Sequence, residues 1–307
     1  MFIARRAGAL FPAALMVVIL GSGQRHSEED IMANGNRTRD ARAVVTGAGS
    51  GIGRAFAREL AARGGQVVCG DINLAAAAET ARGIEAAGGQ ALAVHCDVAA
   101  AESVGELAAA ADSWFGPPTL VVNNAGLGAG GHFIGDGPLG DWRRALDVNL
   151  YGAIHGCHIF TPVLRAAGAG GIINVASAAA FAAVPGMGPY NVGKAGVLSL
   201  SETLSAELQG TPIVVTVLCP TFVPTNIFDG ELLNEFAASE GKRLAAKSRM
   251  TAEQVALAAL DAHDRGRLYA LPQLDAKIVW RFKRFFPVRY ARTVGRAVKA
   301  PGTPATS

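Results

Sequence analysis

The stretch Ala43-Val44-Val45-Thr46-Gly47-Ala48-Gly49-Ser50-Gly51-Ile52-Gly53 decides how this 307-residue sequence is read. Its first three residues form a short apolar run suited to a buried strand. Four glycines follow within seven positions, and a helical pattern continues to about Arg63. Without a Cβ in the way, such a turn lets the backbone come close to a pyrophosphate. The helix that follows presents its first N–H groups and the positive end of its dipole to that charge. The strand before and the helix after are what make the glycine pattern informative, because a glycine-rich turn alone also serves other α/β proteins.

Working outward, Gln66-Val67-Val68-Cys69 reads as a second strand, with Asp71 at its end, 18 residues past Gly53. A carboxylate placed there can accept hydrogen bonds from the ribose hydroxyls of a dinucleotide and would repel a 2′-phosphate. Ile72 and Asn73 bring no cation to offset that repulsion, so NAD is expected over NADP. The plainer alternative makes Asp71 a helix-capping residue. An Ala-rich helix is expected from about Leu74, then a strand at residues 91–95 and a helix at about 102–114. Further strands fall at 119–122, 171–175 and 213–218. These strands are continuous apolar runs rather than alternating ones, as burial on both faces requires. The expected fold is α/β: a single Rossmann-type doubly wound parallel sheet of about seven strands flanked by helices. It would occupy residues 41–271, between an extension at 1–40 and a tail at 272–307.

Composition agrees with one well-packed domain: half the residues are apolar and 17% are charged. The net charge of +3 is uneven. Residues 276–307 hold eight of the 28 Lys and Arg and none of the 25 acids, leaving 20 cations against 25 acids, a net −5, before them. No broad basic face of the kind a nucleic-acid binder needs is apparent. Cys69, Cys96, Cys157 and Cys219 form no CxxC or Cys/His cluster, which fits buried thiols in a reducing compartment. His155 and His158 lie three apart without a Cys or acidic partner at ligand spacing, so no metal site is expected.

The ends stand apart. Arg5 and Arg6 precede an apolar run, residues 7–20, with the proportions of a signal peptide and short for a spanning helix. It reads as an export signal, a marginal anchor, or a dispensable upstream extension before a polar leader that starts at Met32. At the other end, Ile278-Val279-Trp280-Arg281-Phe282-Lys283-Arg284-Phe285-Phe286-Pro287 interleaves aromatic rings with cations. This suits either peripheral contact with a membrane surface or a helix docked on protein with its cations in water. The expected location is the cytoplasm, with membrane association through an end as the variant.

Further motifs follow in order. Asn123-Asn124-Ala125-Gly126 comes after the fourth strand, and Cys96-Asp97-Val98 after the third. Asn149 sits in Asp147-Val148-Asn149. Ser177, just past the fifth strand, precedes Tyr190 by 13 residues. Tyr190-Asn191-Val192-Gly193-Lys194 is a YxxxK, and Pro220 and Thr225 follow the sixth strand. Each has a plain reading by itself: a cap, a turn, or an amphipathic surface pair. Together, behind the glycine turn, they resemble the classical short-chain dehydrogenase/reductase family over about residues 41–270.

That resemblance implies an oxidoreductase moving a hydride between NAD(H) and a CH–OH or ketone group, with an NADP-preferring reductase or a non-catalytic cofactor-binding protein as alternatives. It implies a catalytic group of Asn149, Ser177, Tyr190 and Lys194. It places the cofactor on Gly47, Ser50, Gly51, Ile52, Gly53, Asp71, Asp97, Val98, Asn124, Ala125, Gly126, Tyr190, Lys194, Pro220 and Thr225. It also implies a homodimer or homotetramer joined through the helices that carry Asn149 and Tyr190. Thr221 departs from the family, which usually has Gly after this Pro; the departure bears on loop shape.

The residue types suit the chemistry. A phenol titrates near 10, too high for an efficient base at neutrality, and a nearby ammonium favours its anion. Tyr190 and Lys194, four apart, share a helix face. Ser177 would hold the developing charge on the substrate oxygen, and Asn149 would keep a water in a proton relay. Substrate choice should lie in residues 222–249, where the spacing of Phe228, Leu232, Leu233 and Phe236 predicts a short amphipathic helix, either lid or plain core. With apolar, glycine-rich neighbours at 127–134 and 178–187, a lipophilic alcohol or ketone is expected.

Overall fold

The computed structural model describes residues 36–297. The apolar run at residues 7–20 and the last ten residues of the tail lie outside the described residues. Strands are β1 (Arg42–Thr46), β2 (Gln66–Asp71), β3 (Gln90–His95), β4 (Leu120–Asn123), β5 (Gly170–Val175), β6 (Ile213–Leu218) and β7 (Tyr269–Ala270). Helices are α1 (Gly51–Ala62), α2 (Leu74–Ala86), α3 (Ala101–Phe115), α4 (Leu139–Leu146), α5 (Gly152–Ala167), α6 (Ala179–Ala182), α7 (Gly188–Glu207), α8 (Glu235–Ala245), α9 (Ala252–Asp264), α10 (Leu274–Phe285) and α11 (Pro287–Ala297).

The seven strands form one sheet in the order β3-β2-β1-β4-β5-β6-β7, every neighbouring pair parallel. This is the doubly wound sheet expected from the apolar runs. Alternate residues of each strand serve opposite faces. Val44, Val68, Val121, Ile172 and Val215 pack with Leu107, Phe160 and Leu164 on one side. Val45, Val67, Val122, Ile173 and Leu218 pack with Phe56, Leu60, Val255 and Leu260 on the other. Because both faces are buried, both sets must be apolar, and the sequence therefore shows runs rather than alternation. The chain winds outward from β1 to β3, then returns to add β4 to β7 on the other side. In a sheet wound this way, the place for a ligand crevice is beyond the C-terminal ends of β1 and β4, where the winding reverses.

Three local findings refine the sequence reading. First, the leader before residue 41 is tied to the domain at Thr38, which is buried. Thr38 donates from its N–H and Oγ1 to Asp264 at 2.8 and 2.9 Å, beside the ion pairs of Arg63 with Asp261 and Asp264. Second, the helix expected from Phe228 to Phe236 is not formed at those positions. A 3-10 turn covers Asn226–Asp229, and α8 starts only at Glu235, because the Asn234 side chain accepts from the Ala237 N–H at 2.9 Å and caps the helix there. Phe228, Leu232, Leu233 and Phe236 therefore share no helical face. Third, all four cysteines are buried. Burial pushes Cys69 and Cys219 up to about 12, and Cys96 and Cys157 up to about 11.

The tail forms α10 and α11, held to the domain by the fully buried Ala276 and by Tyr290, whose hydroxyl donates to the Ala182 carbonyl at 2.8 Å. Among the described residues, no helix is long and apolar enough to cross a membrane.

Candidate active site

The glycine turn lies at the crevice, bolted to the loop after β4. Thr46 Oγ1 accepts from the N–H groups of Asn124 and Ala125 at 3.0 and 3.1 Å, and Asn124 Nδ2 donates to the Thr46 carbonyl at 2.9 Å. Gly47 and Gly51 have φ of +65° and +51°, which a side chain would resist. A Cβ on Gly53 would fall 2.0 Å from the Gly47 carbonyl oxygen, so the helix can start this close to the turn only with glycine there. Ser50 precedes α1 without capping it through its side chain. The first N–H groups of α1 are thus left for an anion, the fit expected for a pyrophosphate.

Asp71 stands at the end of β2 with its carboxylate already oriented. Oδ2 accepts from the Gly49 N–H and Oδ1 from the Asn73 N–H, both at 2.8 Å. The helix-capping residue is instead Asn73, which accepts from Ala76 at 3.1 Å. Asp97 and Val98 follow β3. Asp97 Oδ1 accepts from the Ala99 N–H, and the Val98 carbonyl is in hydrogen-bond contact with His155 Nδ1 at 2.9 Å, which gives that histidine a structural partner. Thr225 closes the crevice from the other side: a Cβ on Gly51 would meet its Cγ2 at 3.0 Å.

The catalytic candidates converge on the same end of the sheet. Helix α7 turns Tyr190, Gly193, Lys194, Val197, Ser201 and Leu204 inward as one face. Lys194 Nζ donates to the Val175 carbonyl at 2.9 Å and lies 5.9 Å from the centre of the Tyr190 ring. Ser177, two residues past β5, contacts the Tyr190 phenol and donates to the Pro220 carbonyl at 3.5 Å. Asn149 lies in a π-helical turn, Asp147–Tyr151, between α4 and α5. Its Oδ1 accepts from the Leu127 N–H at 3.0 Å, and its Nδ2 donates to the Leu127 carbonyl at 2.9 Å. A Cβ on Gly126 would come 2.8 Å from Asn149 Oδ1 and 3.2 Å from Lys194 Nζ, so Gly126 keeps this corner open.

Burial governs the electrostatics. It pushes the Tyr190 phenol above its ordinary value, against the pull of the Ser177 hydrogen bond. It pulls Lys194 down to about 8. At neutral pH the pair therefore rests as phenol and ammonium, one proton from the phenolate state.

Apolar walls surround Tyr190. Ala129, Ala145, Ala179 and Leu232 pack with it, flanked by Leu127, Met187 and Ile227. Leu232 is held down because its carbonyl accepts from the Gly130 N–H at 2.9 Å, and Asn234 returns to the Gly130 carbonyl at 3.2 Å. Behind it, Phe222 and Phe228 stack at 6.1 Å.

One contributor escapes sequence reading, and one residue flagged there gains its partners. Thr46 lies within the glycine motif, but its role as a double acceptor depends on β1 lying beside β4. Thr221, where the family has Gly, donates from its N–H to Gln273 Oε1 at 3.2 Å and from Oγ1 to Asp275 at 3.3 Å. It thereby ties the loop after β6 to the start of α10.

The family model for short chain dehydrogenases matches residues 41–235, and the chain belongs to that family. It is 39% identical over 213 residues to the protein named EphD of Mycobacterium tuberculosis, covering 68% of this chain and only 36% of that one. It is 34% identical over 216 residues to a cyclohexanol dehydrogenase of an Acinetobacter species, covering 70% and 83% of the two chains. A Burkholderia phymatum short chain dehydrogenase/reductase crystallised with NAD superposes with a TM-score of 0.78 at 34% identity, over 88% of this chain and 99% of that one. The chain thus spans about a third of the length of the EphD protein, while the dehydrogenase name belongs to the Acinetobacter relative and the bound NAD to the Burkholderia neighbour.

Asn149→Ala is expected to destabilise the protein by about 1–3 kcal/mol, because it leaves the Leu127 N–H and carbonyl without their partners. Urea unfolding of the two proteins measures this, and coincident midpoints would contradict it.

Proposed function

We propose that this enzyme interconverts a lipophilic secondary alcohol and its ketone with NAD(H), with Tyr190 transferring the proton. The observation that carries this reading is the buried Tyr190–Lys194 pair with the half-buried Ser177 beside it, walled by aliphatic side chains at the C-terminal end of the sheet. When bound, the nicotinamide supplies the hydride donor or acceptor. The uncapped start of α1, the turn Gly47–Gly53, Asp71, Asp97, Val98, Asn124, Ala125, Gly126, Pro220 and Thr225 would hold the dinucleotide.

The chain's own part is to move and stabilise a proton. In the reducing direction Tyr190 donates its phenolic proton to the ketone oxygen, and the Lys194 ammonium stabilises the phenolate left behind. Ser177 orients the same oxygen through its hydroxyl. In the oxidising direction the phenolate removes the alcohol proton. Leu127 holds the amide of Asn149 through one bond to Oδ1 and one from Nδ2, leaving each atom a further hydrogen-bonding position for a relayed water. Leu127, Met187, Ile227 and Leu232 offer no hydrogen bonds to a polyol, which favours alicyclic or long-chain substrates. The name of the cyclohexanol-oxidising relative points the same way.

Initial rates with cyclohexanol-type alcohols and with small polyols, read at 340 nm, test the reading; preference for polyols would overturn it. NAD is favoured because the Asp71 carboxylate is fixed at the end of β2 and would face a 2′-phosphate. Asp71→Asn keeps an acceptor for the Gly49 N–H and removes the charge. It is expected to improve the NADP/NAD ratio of kcat/KM by about tenfold or more, as a lost contact between like charges would; an unchanged ratio would remove Asp71 from cofactor choice. Contact of the tail with a membrane surface, rather than with protein, is the reading that exposed Phe282, Phe285 and Phe286 beside its cations support.

A further inference from the structure

We infer that a basic pocket at the β7 edge of the sheet, remote from the glycine turn, binds the phosphate of an anionic phospholipid headgroup. It is lined by Arg265 and Arg267 from the turn after α9 and by Lys277 and Arg281 from α10. Tyr269, Leu271, Pro272 and Trp280 form its floor, and no acid is among the lining residues. Among the described residues, none of these four cations makes an ion pair with Asp or Glu. Four such charges facing one concavity repel each other, and a phosphate with several acceptor oxygens relieves that repulsion.

The lipid source follows from α10. Ala276, Val279 and Trp280 turn inward. On the outer side, Leu274, Ile278, Phe282 and Phe285 are exposed, at 71, 58, 40 and 72%. At the helical repeat these four make one stripe, and Lys277, Arg281 and Arg284 make a second stripe beside it. Two of the pocket's cations therefore lie next to the apolar stripe. A helix lying flat on a bilayer would sink the rings below the headgroups and leave the cations at phosphate level. A second copy of the chain meeting this face about a two-fold axis would only double the positive charge.

The proposal rests on the membrane reading of the tail, and the test separates the two. Full-length protein is sedimented with vesicles of phosphatidylglycerol or of phosphatidylcholine, alongside Arg265→Gln/Arg267→Gln and Ile278→Ser/Phe285→Ser variants. Turnover with a soluble alcohol serves as the folding control. The expected result is selective pelleting with phosphatidylglycerol, weakened about fivefold for each arginine removed, and weakened also by loss of the apolar stripe. If the arginine variant pellets like the native protein while the stripe variant does not, the headgroup pocket is overturned and the membrane reading stands. If neither variant changes pelleting, both fail. In a parallel thermal melt, inorganic phosphate that protects the native protein but not the arginine variant, in the absence of vesicle binding, would assign the pocket to a soluble phosphate and overturn the lipid source.

Discussion

Tyr190→Phe is expected to lower kcat by about 10²–10⁴-fold, the range for loss of a positioned acid–base group, while NADH binding stays within a few-fold of native. The variant removes one oxygen and leaves the ring, which carries the packing against Ala129, Ala179 and Leu232. It leaves Lys194 on the Val175 carbonyl and Ser177 on the Pro220 carbonyl. No other phenol lies in the crevice: Tyr151 is exposed, Tyr269 donates to Glu202 at 2.6 Å on the β7 side, and Tyr290 is engaged by Ala182. Steady-state rates at saturating substrate, paired with NADH fluorescence titration, give both quantities. Retained turnover would displace Tyr190 from the reaction, and loss of binding with turnover would make its role structural.

The second large effect separates activity from stability. Lys194→Met should cost activity on the same scale, since no other described cation supports the phenolate, yet it should relieve the native state of a buried charge. Burial lowers Lys194 from 10.5 to about 8. Below pH 8 both folded and unfolded chains hold the proton, and the folded state bears the full desolvation cost, about 3 kcal/mol at 1.36 kcal/mol per pH unit. Between pH 8 and 10.5 the unfolded chain binds the proton and the folded one does not, so native stability rises with pH across that window. Methionine does not titrate. The stability of Lys194→Met relative to native should therefore fall by roughly 3 kcal/mol from pH 7.5 to 10.5, measured by urea unfolding of the cofactor-free proteins. A difference that stays flat with pH would place the lysine in water.

Legibility from sequence follows the kind of interaction involved. The sheet was readable because apolar runs at β1, β2, β4, β5 and β6 reflect two-sided burial, a local signal. The two-residue β7 leaves no pattern long enough to register. The glycine turn and Asp71 were readable because backbone freedom and charge are properties of single residues. The inward face of α7 was not readable by hydrophobicity, since Tyr190, Lys194 and Ser201 occupy positions that a core pattern would fill with apolar residues. It became visible only through motif order. The segment after β6 misled because three-and-four spacing reads as a helix, while a side-chain cap at Asn234 delays the real one until Glu235. Thr46, Thr221 and Tyr290 act across long sequence separations, and no local pattern records those.

The burial of the four thiols makes the protein its own opening clock. Cys219 sits between the end of β6 and the Ser177–Pro220 contact, with a thiol raised to about 12 and almost no solvent exposure. At neutral pH an alkylating reagent would meet a buried, protonated thiol there rather than a thiolate, so slow labelling of the folded chain by maleimides is expected. An adduct at Cys219 would require the packing around it, which includes Phe181, Val197 and Ala276 of α10, to open. Its rate of appearance times that excursion, next to Lys194, without a label being engineered in.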